Sequence, residues 1–136
     1  MIGLLVLACA VSPPTMYVPD GMETYDVSVP EGRGLIAFLV PGIALDVRGP
    51  EGQVWPDLWV LRVEPQSFTV LVSEAQHNAM SAAAREGALV GVLVGSDFTK
   101  TPPPGLDLER LRAVGEVRWC KRTADGIVDL AGAACD

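Results

Sequence analysis

Any chemistry in this 136-residue chain has to come from a short set of side chains: one histidine, His77, and three cysteines, Cys9, Cys120 and Cys135. An imidazole metal site needs a second histidine, and no two cysteines stand at metal-knuckle spacing, so neither a metal nor a cofactor is expected. His77 falls in a predicted helix, off its alanine face, where a solvent-facing or lightly packed ring is a plainer reading than a catalytic base. Ser73-Glu74 and Ser96-Asp97 read as cap and loop residues, because a nucleophile without a base and an orienting group makes no triad. Gly87, Gly91 and Gly95 follow a helix where a phosphate loop must precede one, so their spacing reads as packing. Asp20, Glu23, Asp26 and Glu31 could hold a hard cation, but their intervals fit no calcium loop and a solvated acidic arm fits them better. No enzyme class emerges.

Arg110, Arg112, Arg118, Lys121 and Arg122 place five of the ten basic residues within thirteen positions. Glu109 and Glu116 sit among them, which favours a solvated charged face over a phosphate patch. The net charge of −7 argues the same way, since a polyanion would be repelled by the whole domain, and nucleic acid is not an expected partner. A Cys120 to Cys135 bridge requires the last strand to fold back on its neighbour; unpaired buried thiols are the simpler state. Trp55, Trp59 and Trp119 read as core or interface anchors, not stacking platforms for bases.

The elements that must position these residues are mainly strands. Trp55 to Ser73, WPDLWVLRVEPQSFTVLVS, alternates on both sides of a turn at Glu64-Pro65-Gln66-Ser67 and reads as a hairpin. Pairing outward sets Val63 against Phe68, Leu61 against Val70 and Trp59 against Val72, giving one apolar face and one mostly wet face, with Val60 and Leu71 as its apolar exceptions. Pro65 cannot adopt the tightest hairpin geometry, so a bulge or slip near the tip is compatible with the pattern. Ser73-Glu74-Ala75-Gln76 has the form of a capping box, and Gly87 suits a left-handed stop, which predicts an alanine-rich helix from about Glu74 to Glu86 covering the sheet.

Further short strands are predicted at Thr24 to Val29, Leu35 to Val40, Ile43 to Val47 and Ala88 to Gly95, the last as a strand buried on both faces. Glu116 to Cys120 and Ile127 to Leu130 form a final hairpin about Asp125-Gly126. Leu106 to Arg112 reads equally as a short helix capped by Asp107 or the start of a strand. The expected architecture is a small closed or partly open β-barrel or sandwich of six to eight strands, with one short helix and an extended N-terminal arm. Residues 1–33 form that arm and residues 34–136 the barrel domain, a single core being the default at this length.

Hydrophobic residues make up 49% of the chain, high for a soluble monomer of this size. Either partners cover apolar surface or one segment is a membrane signal. Met1 to Val11 is too short to span a bilayer. Val6-Leu7-Ala8-Cys9 is similar to a lipoprotein processing site, but no Lys or Arg precedes Arg33, so a packed strand or arm is the leading reading. Pro13, Pro14, Pro19 and Pro30 bar a helix from Ser12 to Gly34, a segment that still holds Met16, Tyr17, Val18, Met22 and Tyr25. These five, with Trp55 and Trp119, are the candidate interface residues. The single Asn and the excess of Arg over Lys fit a GC-rich genome or selection for heat resistance.

The strand rhythm of GIALDVRGPEGQVWPDLWVLRVEPQSFTVLV, followed by GEVRWCKR, resembles small bacterial barrel modules of the PilZ type. The paired arginines and the Asp/Asn-Ser-Gly element that hold a cyclic dinucleotide in such modules have no counterpart here, so that ligand is not implied. Two functions remain. The leading one is a non-enzymatic assembly protein of a homo-oligomer or larger lattice, such as a virion decoration, cement or tail protein, whose arm wraps a neighbour. The alternative is an envelope-associated or regulatory β-barrel module, exported or lipid-anchored through Cys9, that binds a small ligand or protein partner.

Overall fold

A computed structural model describes residues 13–30, 39–93 and 101–135. The Met1 to Val11 segment, Glu31, the 33/34 boundary, Gly95, Ser96-Asp97 and all but the last two residues of the predicted Leu35 to Val40 strand lie outside them. The described residues form eight strands, β1 (Thr15–Tyr17), β2 (Met22–Ser28), β3 (Ala44–Arg48), β4 (Val54–Glu64), β5 (Ser67–Ser73), β6 (Val90–Leu93), β7 (Arg118–Thr123) and β8 (Gly126–Asp129), and two helices, α1 (Glu74–Ala84) and α2 (Leu108–Val114). The fold is mainly β, as the alternation requires, but the strands do not close into a barrel. They make a five-stranded sheet in the order β2-β5-β4-β3-β6 and a three-stranded sheet in the order β1-β7-β8. The extended N-terminal segment contributes a strand to each sheet, β1 running parallel to β7 and β2 antiparallel to β5.

The hairpin of β4 and β5 is the central pair, and its register departs from simple alternation. Val63 opposes Phe68 as expected, but the register then shifts, so that Val60 opposes Val70 and Leu61 has no partner. This bulge sits three residues inside the turn instead of at its tip. An extra residue flips the phase of everything beyond it. Leu58, Val60, Phe68, Val70 and Val72 therefore pack with Met80 and Ala83 of α1 in one core. Trp59, Leu61 and Leu71 pack on the opposite face with Met16, Val18, Leu111, Val117 and Trp119 in a second. The face expected to be wet is covered by the small sheet and α2. Consecutive residues Val60 and Leu61 are both fully buried, each side chain contributing about 1.5–3 kcal/mol by leaving water. Among the described residues no helix is long and apolar enough to cross a membrane.

The capping box closes as its residues require: Gln76 N–H donates to Ser73 Oγ at 3.1 Å and Ser73 N–H to Gln76 Oε1 at 2.8 Å. The buried face of α1 is not the alanine-rich one. Met80 and Ala83 turn to the sheet, Ala75, Ala79 and Ala82 stay exposed, and His77 is half-buried with its ring edge-on to Tyr25 at 5.4 Å. Gly87 is not left-handed; its missing side chain admits Pro50, whose Cβ lies 2.8 Å from where a Cβ would stand. Gly91 likewise admits the Phe68 ring, 2.7 Å from its would-be Cβ. Among the described residues the strand carrying Gly91, β6, pairs with β3 alone and is half-exposed, not the doubly buried strand its composition predicts. Leu108–Val114 resolves as a helix, with the Asp107 carboxylate accepting from Arg110 N–H at 3.0 Å.

Candidate functional site, a groove between the sheets

The interface candidates separate once the cores are assigned. Met16, Val18 and Trp119 are buried in the second core, where the chain's own residues cover them, and Met22 packs against it half-buried. Tyr25 and Trp55 pack half-buried against the first core. Tyr17 stays exposed, with Arg122 stacked over its ring at 5.6 Å.

The acidic and basic clusters, read separately in the sequence, largely meet each other. Lys121 pairs with Glu23, and Arg122 reaches Asp20 at 3.7 Å. Arg112 donates through Nε and Nη2 to the Gly42 carbonyl at 3.1 and 2.8 Å, tying α2 to the turn before β3. Among the described residues no group of three or more His, Cys, Asp or Glu side chains could hold a metal.

Arg62 is different. It follows the bulge on β4, in a cross-strand row with Thr69 and Asp26. Thr69 is the one buried polar residue among those described, and its Oγ1 donates to Asp26 Oδ1 at 2.6 Å. Asp26 Oδ1 and Glu64 Oε1 each lie 3.9 Å from Arg62 Nη2, beyond hydrogen-bond reach. The Glu64 oxygen accepts instead from Ser67 Oγ at 3.4 Å. Arg62 Nε is buried without a hydrogen-bond partner. Of its five donors, Nε is the one left buried and unsatisfied by the described residues, at a cost of about 1–3 kcal/mol, while the side chain as a whole is 36% exposed.

Arg62, Val117 and Arg118 together line two adjoining cavities, of about 380 and 130 Å³. The larger is walled by Leu61 and Val63 of β4 and rimmed by Glu64 and Glu116; the smaller extends to Trp119, Asp129 and Leu130. The result is a groove between the two sheets with apolar walls, an arginine with a buried, unsatisfied Nε from one sheet and a second arginine from the other. Simple alternation along the hairpin puts Arg62 on its wet face, and Arg118 falls in a charged run. Their convergence depends on the bulge and on the packing of the small sheet, and neither has a local signal.

The same groove ends at a clipped C-terminal tail. Cys120 and Cys135 form a disulfide, with Cα atoms 6.2 Å apart, so the thiols expected to be free are bonded. The last strand does fold back: Ala134 bridges to Val128, Cys135 N–H donates to the Ile127 carbonyl at 2.9 Å, and Arg118 Nη2 donates to the Ala134 carbonyl at 2.9 Å. Asp129 organises the turn, its Oδ1 accepting from Ala131 and Ala133 N–H, both at 2.9 Å. The Ala133 and Ala131 N–H groups and the Arg118 guanidinium hold its carboxyl below the ordinary value of 3.8, against a smaller opposing effect of desolvation. A folded-state value below the unfolded one means this contribution is present above the ordinary aspartate range and lost as pH falls through the folded value. The protection factors of the Ala131 and Ala133 amides, which correct for the intrinsic pH dependence of exchange, are therefore expected to fall on acidification through that range, and Asp129→Asn to remove the pH-dependent step.

No family model, curated protein or solved structure matches this chain.

Proposed function

We propose that this chain is a non-enzymatic binding module that works in an oxidising compartment, tethered to a membrane surface through Cys9 and presenting the inter-sheet groove to a partner. The observation that supports the reading is the Cys120–Cys135 disulfide. Such bonds persist outside the reducing cytosol and are rare within it. With that pair closed, Cys9 is the remaining cysteine, and it stands in a sequence similar to a lipoprotein processing site. Labelling with tagged palmitate during expression in a bacterial host tests the tether. Label on the chain and partition into detergent, both lost in Cys9→Ser, are expected; an unlabelled, water-soluble chain that retains Met1 contradicts it.

One observation favours the assembly reading, in which the chain is part of a lattice such as a virion decoration or tail protein. The β6 edge carries only valine, glycine and leucine, and Val54 and Val90 flank Arg48 across the end of that sheet, both exposed. Apolar edges of this kind accept strands from other chains. Size-exclusion chromatography with light scattering separates the readings: a dilute monomer removes the lattice version, and a defined closed oligomer supports it.

A further inference from the structure

We infer that the groove between the sheets is a carboxylate site, with Arg62 as its anchor and Arg118 as the second donor; the inference rests on the reading of the chain as a binding module. Arg62 Nε is buried with no hydrogen-bond partner among the described residues, and its Nη2 makes only long ion pairs, at 3.9 Å, with Asp26 and Glu64. A guanidinium is a planar fork that matches the two oxygens of a carboxylate, and charge-assisted pairs of this kind are the stronger hydrogen bonds. Arg118 spends one Nη on the Ala134 carbonyl and lies 3.6 Å from Asp129, with its side chain 42% exposed on the same cavities.

The surroundings decide which anion fits. Asp26 stands 3.9 Å from the Arg62 guanidinium, Glu64 and Glu116 line the larger cavity and Asp129 the smaller, so repulsion grows with the charge of the ligand. Asp129 is occupied by its own turn and by Arg118, which leaves it little reason to protonate for a guest. A phosphate carrying two charges meets this rim less favourably than a single carboxylate does. Leu61, Val63, Val117 and Leu130 supply apolar wall beside the arginines, so the preferred ligand is a monocarboxylate on an apolar body. The C-terminus of a protein ending in an apolar residue and a small organic acid share that chemistry.

The test is titration of the purified, oxidised full chain, read by the Nε–H resonance of Arg62 and by calorimetry. The probes are acetyl-Ala-Val-Leu with a free carboxyl, the same peptide as its amide, hexanoate and inorganic phosphate. The free-acid peptide is expected to shift the Arg62 resonance and saturate, with the amide at least about tenfold weaker. Arg62→Lys is expected to weaken binding about tenfold at unchanged melting temperature, because a point charge replaces the fork. Should that variant melt early, Arg118→Lys serves in its place, with the same direction of effect. Hexanoate binding as well as the peptide identifies a small acid as the source; hexanoate failing where the peptide binds identifies a protein C-terminus. No shift with any probe, equal binding of acid and amide, tighter binding of phosphate, or unchanged affinity in the well-folded variant overturns the assignment. The purified chain carries the groove whether or not Cys9 is lipidated, so loss of the tether and loss of the site are separate results.

Discussion

Cys135→Ser in the full chain is expected to lower the unfolding free energy by about 3 kcal/mol, the chain-entropy value for closing a loop of this size. The two cysteines are separated by 15 residues, and the loop between them contains all of β8 and its turn. In the unfolded chain the bond removes the freedom of that loop, and in the folded chain it holds the tail against the β8 edge. Without it, the tail keeps the Val128 to Ala134 bridge and its few backbone hydrogen bonds, which do not offset the entropy of ordering residues 131–135. The melting temperature is expected to fall on the order of 10 °C. Reductant should lower the wild-type chain to the same point and leave the variant unmoved. A variant that melts with the oxidised wild type would mean that the tail and its clip carry no stability.

Leu71→Ala is expected to cost about 2–5 kcal/mol in urea unfolding. Leu71 lies in the second core, 2% exposed, between Trp59 and the residues that the small sheet and α2 bring over it. Its truncation leaves a cavity in a layer that exists only because β4 and β5 are covered on both faces. The hairpin with one wet face gives a different result, a loss within a few tenths of a kcal/mol, as for an exposed strand position. The comparison therefore reads the layering directly. Val70→Ala, in the first core, is the control in which both arrangements expect a large loss.

The strands and the helix start were legible because their signals are local. The turn at Glu64-Pro65-Gln66-Ser67, the capping box at Ser73 and the last hairpin about Asp125-Gly126 each rest on residues that fix their own backbone. What the sequence hid is long-range. A bulge at Leu61 carries no proline or glycine to announce it, yet it turns Leu61 away from Val70. Its carbonyl then accepts from Trp119 Nε1–H at 3.2 Å across the second core. Composition also misled at β6, because an apolar edge strand and a buried central one use the same residues. For α1, alanines tolerated on the exposed face outnumber the two residues that are buried. The candidate site was legible least of all. Arg62 and Arg118 are 56 residues apart in sequence and lie on different sheets, so only the assembled layers bring them to one groove. The disulfide sits between these cases, since its geometry needed only the fold-back of the tail that the final hairpin already implied.

The reading of the chain as a module of an oxidising compartment stands or falls on the state of two sulfurs in the cell. Trapping free thiols with iodoacetamide in intact cells, before lysis and digestion, measures it. Cys120 and Cys135 are expected to resist the label and to appear as one cross-linked peptide. Both residues recovered fully alkylated would show that the chain lives reduced, and would contradict the account.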